Sequence, residues 1–204
     1  MSGTVLWDVD TQVDFMLPGG KLHVPGAEQT APAMGRLVAA ARSAGLVHVA
    51  SADDHELTDT EISDEPDFQT TYPPHCLRGT RGAAKVEETT QEDPVPIGLG
   101  EFPERFFRGR EFLLLKKSFD VFTNPNTERL LDRLDPDEVI LFGVATDVCD
   151  DAAILGLLDR GRRVRFVEDA ARGLDEGRVA ECTAAWRERG VEFTTVDPVL
   201  AGLT

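Results

Sequence analysis

The sequence predicts an α/β fold: a three-layer α/β/α arrangement around a mostly parallel, Rossmann-like sheet of about six strands. Short apolar runs alternate with segments of helical periodicity along the chain, the order that right-handed crossovers between parallel strands require. The runs are apolar almost throughout, as strands covered on both faces must be. A length of 204 residues fits one domain, 1–204, better than two small ones.

Residues 4–9 (TVLWDV) form the first strand. Pro25 and Gly26 then break the chain, and 27–44 is an Ala-rich helix with Leu37, Val38 and Ala41 at helical spacing. Gly45 follows where a left-handed closing residue is wanted. Residues 46–50 (LVHVA) are the second strand, 111–115 (EFLLL) the third and 138–144 (EVILFGV) the fourth. Helices are expected at 127–134 and 148–160, the latter ending near Gly161. A fifth strand at 163–167 (RVRFV), a helix at 176–189 and a last strand at 192–195 complete the pattern. The irregular stretch at about 51–110 is rich in proline and acidic residues. A loop of that length inside a compact domain is usually functional or disordered.

Composition narrows the function. A net charge of −16 argues against nucleic acid and against anionic lipid, both of which need a basic surface. No apolar run is long enough for a membrane span, and the opening MSGTVLWDVD lacks a signal-peptide pattern. Three cysteines without framework spacing point to free thiols and a reducing, cytoplasmic compartment.

In such sheets ligands sit outside the carboxyl ends of the strands. The first strand leads into Asp10, the second into Asp53-Asp54-His55, the third into Lys116 and Lys117, and the fourth through Gly143–Asp147 into Cys149 at a helix start. A carboxylate, an ammonium and a thiol thus fall at three strand ends. A helix N-terminus and a nearby ammonium both favour a thiolate. A carboxylate in reach can take the thiol proton and later hand it to a leaving amine. The turn before Cys149 can present N–H donors to an oxyanion. Singly, each residue has a plainer reading: buried small hydrophobe, turn former or solvated edge. Cys182, inside an amphipathic helix, is read in that plain way; Cys76 follows Pro73-Pro74-His75 in the loop and stays open.

Together the motifs are specific. Asp10-Thr11-Gln12-Val13-Asp14-Phe15 resembles the D-x-Q-x-D-F opening of the isochorismatase-like cysteine hydrolases, and Gly143-Val144-Ala145-Thr146-Asp147-Val148-Cys149 resembles their G-x-x-T-x-x-C turn. The resemblance implies the isochorismatase-like hydrolase fold and a triad of Asp10 as general base and acid, Lys116 as thiolate stabiliser and Cys149 as nucleophile. It implies a non-proline cis peptide at Val144–Ala145, with the N–H groups of Ala145 and Cys149 as oxyanion hole. Lys116 is preferred to Lys117 for its spacing to Phe122; adjacent strand residues face opposite ways, so one lysine reaches the site. Asp150 is expected to point away from Cys149.

Asp53-x-His55 and Tyr72-Pro73-Pro74-His75-Cys76 are similar to the nicotinamidase branch. That branch binds a divalent metal beside the triad, which here implies Asp53, His55, Glu61 and His75 as ligands for zinc, iron or manganese. The metal would bind the ring nitrogen of a pyridine carboxamide, with Phe15 and Tyr72 flanking the ring. Glu61 is flanked by Asp59, Asp64 and Glu65, so the acidic ligand stays open among them. His23 and His48 are read as structural. The implied activity is release of ammonia from nicotinamide through a thioester, a reaction of NAD salvage. The alternatives are a metal-free amidase of the same superfamily acting on a carbamoyl or ureido compound, and a non-enzymatic scaffold. The expected partner is a small-molecule amide, and family analogy implies a homo-oligomer.

Overall fold

The computed structural model describes residues 3–203. Seven strands form one sheet: β1 (Thr4–Val9), β2 (Val47–Asp53), β3 (Val95–Ile97), β4 (Glu111–Lys116), β5 (Glu138–Val144), β6 (Arg163–Arg172) and β7 (Glu192–Thr194). Their order is β3-β4-β2-β1-β5-β6-β7, and every neighbouring pair is parallel. The helices are α1 (Val13–Met16), α2 (Ala31–Ala44), α3 (Pro125–Leu134), α4 (Asp151–Asp159), α5 (Glu176–Glu188) and α6 (Val196–Leu203).

Each face of the sheet carries its own core. Val5, Trp7 and Val9 of β1 pack with Leu130 of α3, Leu157 of α4 and Trp186 of α5. Leu6 joins Met34 and Leu37 of α2 and Val199 of α6 on the other face. Alternate side chains of one strand thus feed two layers, and that explains why the strands lack polar alternation. No helix of the described residues is long and apolar enough to cross a membrane.

The structure has one strand more than expected. β3 is a three-residue edge strand with Pro96 at its centre, a position where the missing N–H can be tolerated and where proline hides the strand signal. β6 runs five residues past its apolar part, after a register shift between Leu141 and Gly143. α2 begins at Ala31, with Pro32 in its first turn; residues 27–29 form a separate 3₁₀ turn. Gly45 closes α2 with φ 68°. α6 was not expected, for its stretch is short and contains Pro198.

The chain steps outward from β1 through β2 to β4 in one direction and through β5 to β6 in the other. The switch point, where ligands collect in sheets of this kind, therefore lies between β1 and β5. Asp10 follows one of these strands and Cys149 the other. Gly143 makes the close approach possible: a Cβ there would stand 2.2 Å from the Val9 carbonyl oxygen.

Candidate active site

Asp10 leaves β1 in a left-handed conformation, φ 51°, and is fully buried. The Ser51 hydroxyl donates to its Oδ1 at 2.7 Å. Lys116 ends β4, equally buried, with Nζ 2.8 Å from Asp10 Oδ2 and also bonded to Oδ1 of Asp53. Lys117 turns the other way, donating to the Asp54 carbonyl and to Asp59. The structure thus brings Lys116, not Lys117, to Asp10.

The rest of the opening motif is scaffolding. Gln12 Nε2 donates to the carbonyls of Asp53 and Ala83, both at 2.8 Å, while its Oε1 accepts from the Asp53 N–H at 2.7 Å. One buried side chain thereby fixes the end of β2 against the long loop. Asp14 accepts the Cys76 N–H at 2.7 Å and the Lys21 N–H at 3.2 Å, pinning the same loop.

Cys149 lies in a π-helical turn, Thr146–Asp150, that precedes α4 rather than in the first turn of the α-helix itself. The Val144–Ala145 peptide before it is cis. Burial pushes the thiol well above its ordinary range, and the Asp10 and Asp53 carboxylates add to this against the opposing Lys116. Lys116 thus favours the thiolate, as expected, while burial and the two carboxylates oppose it. Burial, with help from Asp53, also raises Asp10. Burial disfavours the ammonium of Lys116, but Asp10 and Asp53 prevail and hold it charged. Asp150 is buried, with both carboxylate oxygens lacking a hydrogen-bond partner among the described residues. Burial, then the Asp10 charge, pushes its carboxyl well above the usual range.

Beside this trio, Asp53, His55 and His75 offer three buried ligand atoms within 4.8 Å of one another. The carboxylate of Asp53 divides its work. Oδ1 bonds Lys116, while Oδ2 faces His75 Nε2 at 3.5 Å and His55 Nε2 at 3.7 Å. Burial raises this carboxyl, yet Lys116 and the two histidines hold it far below the usual range. His75 Nδ1 donates to the Pro73 carbonyl at 2.8 Å, and His55 Nδ1 lies 3.3 Å from Asp59. Each ring is therefore oriented from behind, with Nε2 turned inward. His55 Nε2 is buried without a hydrogen-bond partner among the described residues. An orphaned imidazole nitrogen facing a carboxylate and a second imidazole fits a divalent cation. Glu61 is not drawn into this cluster; it lies on the cavity wall, where burial and Asp53 raise its carboxyl.

Of these groups, Asp53, Glu61, His75 and Cys149 line a cavity of about 450 Å³. Ala145 lines it too, as do Phe15 and Tyr72, whose rings lie 5.7 and 6.3 Å from the His75 ring. His23, read as structural, also lines it, with Nε2 3.0 Å from Glu28. His48 does sit elsewhere, against Asp8 at 3.5 Å. The sequence reading missed Phe68, Phe119 and Leu174 on the cavity wall. They lie in turns without periodicity, so no local pattern marks them.

The chain is 27% identical over 186 residues to nicotinamidase of Escherichia coli (strain K12), covering 82% of each. It is 27% identical over 187 residues to nicotinamidase/pyrazinamidase of Mycobacterium tuberculosis (strain ATCC 25618 / H37Rv), covering 91% of this chain and 95% of that protein. Its fold is similar to that of Pyrococcus horikoshii pyrazinamidase solved in complex with zinc, with a TM-score of 0.75, 23% identity, and coverage of 95% of this chain and 99% of that one. The Isochorismatase domain model matches residues 4–198, nearly the whole length, and the chain belongs to the isochorismatase family.

Proposed function

We propose that the chain hydrolyses a small aromatic carboxamide of the nicotinamide and pyrazinamide kind through a thioester on Cys149. The observation that carries this reading is one cavity lined by a thiol next to a buried Asp10–Lys116 pair, with a fitted cation site on the same wall. The two curated relatives, named for nicotinamide and pyrazinamide hydrolysis, support the substrate class.

Asp10 takes the proton of the Cys149 thiol as sulfur attacks the amide carbon. The carbonyl π electrons move to oxygen, and the N–H groups of Ala145 and Cys149 receive the developing charge. Asp10 then protonates the amide nitrogen, the C–N bond breaks and ammonia leaves, giving the acyl thioester. Water attacks the thioester carbon with Asp10 as base, the C–S bond breaks, and the proton returns to sulfur. Lys116 stays charged throughout and keeps Asp10 competent as a carboxylate despite its burial. Phe15 and Tyr72 flank the ring.

Asp53, His55 and His75 would hold the metal, with Glu61 as the neighbouring wall carboxylate. A bound zinc, iron or manganese ion supplies a Lewis-acid anchor that orients a ring nitrogen. The test is ammonia release from nicotinamide, pyrazinamide and a set of carbamoyl compounds by purified protein of known metal content. Release confined to the pyridine and pyrazine amides is expected. Release from carbamoyl compounds alone would replace the substrate reading, and release from none would refute the hydrolase assignment.

A further inference from the structure

The cavity that holds Cys149 has a lining of two kinds. Asp53 and His75 are polar and buried, and Glu61 is polar and half-buried. Phe68, Phe119 and Leu174 are apolar and 64%, 51% and 55% exposed, which puts them at its mouth. They come from three separate parts of the chain: the long loop, the turn after β4 and the turn after β6. Six large apolar side chains of the described residues are exposed in this way, and half of them meet at this one opening.

Two of the three are held there by local structure. Phe68 has φ 56°, a conformation that an aromatic residue adopts at a cost. Asp67 enforces it: Oδ1 accepts from the N–H groups of Gln69, Thr70 and Thr71 at 2.9, 2.8 and 2.8 Å, and the Phe68 N–H donates to the Thr71 carbonyl at 3.0 Å. The Phe68 ring then stands edge-on to Tyr72, with centroids 6.5 Å apart. Leu174 is fixed through its N–H, which donates to Oδ1 of Asp147 at 2.8 Å. Asp147 lies two residues before Cys149, so the rim is tied to the same turn as the thiol.

Three apolar groups kept in water around one mouth, two of them by a fixed backbone, gain nothing from hydrophobic burial until something covers them. A cavity of about 450 Å³ is large enough for a drug-sized ligand. A bare pyridine carboxamide with its ring toward His75 and its amide at Cys149 occupies only the inner end. Among the described residues no lysine or arginine lines the cavity, so no basic side chain receives an anionic extension at its mouth.

We infer that the substrate is a carboxamide carrying an apolar aryl or alkyl substituent, which Phe68, Phe119 and Leu174 receive at the cavity mouth. The inference rests on the amidase reading above and adds the substrate class to it. The site is continuous with the catalytic cavity, and that continuity selects a substrate rather than a macromolecule as the occupant.

The test uses wild-type protein and a series of pyridine-3-carboxamides: unsubstituted, phenyl- or propyl-substituted at successive ring positions, and matched compounds whose substituent ends in a carboxylate. The best apolar member is expected to exceed nicotinamide about tenfold in kcat/KM, from the area it buries, and the carboxylate-ended partner to fall below it. Phe68→Ser, Phe119→Ser and Leu174→Ser should each bring that ratio toward one, chiefly through KM, and Phe68→Leu should retain it. These side chains are more than half exposed, so the serine variants fold. Turnover of nicotinamide with no preference across the series would overturn the inference and leave the amidase reading standing. If no amide is turned over, calorimetric binding of the same compounds to Cys149→Ala protein decides: rim-dependent tighter binding of apolar members upholds the subsite, and equal binding refutes it. Rim substitutions that dissociate an oligomer without changing selectivity would make the rim a contact between copies and overturn it too.

Discussion

Replacing Lys116 with methionine keeps the length and apolar stem of the side chain and deletes the ammonium. In the native site that ammonium is fully buried, 2.8 Å from Asp10 and in contact with Asp53. At about 3 Å and an effective dielectric near 20, each contact is worth roughly 5 kcal/mol before desolvation. Desolvation offsets most of this, and breaking a buried pair costs about 3–5 kcal/mol net, because the remaining charge stays buried without compensation. Here two carboxylates would be stranded together. With urea slopes of about 2 kcal/mol per molar, a loss of ~4 kcal/mol lowers the unfolding midpoint by ~2 M.

The pH dependence has a definite sign. Without Lys116, burial and the Asp53 charge raise the folded pKa of Asp10 further above its unfolded value. The folded variant then binds more protons than the unfolded chain, so its stability relative to wild type improves on acidification and worsens as pH rises through the raised value. Urea unfolding of metal-free Lys116→Met and wild type at pH 8 and pH 5, followed through the buried Trp7 and Trp186, measures this directly. The destabilisation should be smaller at pH 5 by ~1 kcal/mol or more. Equal midpoints at pH 8, or a larger deficit at pH 5, would refute the reasoning.

Cys149→Ala should remove amide turnover while leaving the unfolding midpoint within about 1 kcal/mol of wild type, as a partly exposed site allows; retained turnover would rule out the nucleophile assignment. Iodoacetamide should label Cys149, which is partly exposed and lines the cavity, before Cys76 or Cys182, both buried; peptide mapping reads the order. His75→Ala should weaken zinc binding by at least ~100-fold, from about one ion per chain, in competition with a chromogenic chelator. Gln12→Ala strands the Asp53 N–H and two carbonyls and should cost about 2–3 kcal/mol in urea unfolding. An unchanged midpoint would mean that the end of β2 is fixed by other contacts.

Much of the architecture was legible in the sequence. Apolar runs located six of the seven strands, since two-sided burial leaves a strong local signature. β3 escaped because Pro96 breaks that signature at an edge, and the far half of β6 escaped because Glu168, Asp169 and Arg172 do so. Asp10, Asp53, His55, His75, Lys116 and Cys149 all carried marks of type and spacing, and the fold gathers them at the strand ends and the long loop beside them. Glu61 had only its acidity and a spacing within an acidic stretch, and the cluster forms without it. His23 had no mark at all, because its place on the cavity wall depends on a loop path that no periodicity encodes.

The sequence by itself determined the layer order of the fold and which chemical groups stand at the carboxyl ends of its strands, because burial patterns and strand alternation are local. Tertiary structure alone decided that Lys116 rather than Lys117 faces Asp10, that Asp53 is shared between that lysine and two histidines, and that burial pushes the Cys149 thiol up. It also decided that Phe68, Phe119 and Leu174 frame the entrance. Those outcomes depend on distances and desolvation among residues 10, 53, 116 and 149, which lie far apart along the chain, and only the closed sheet sets them.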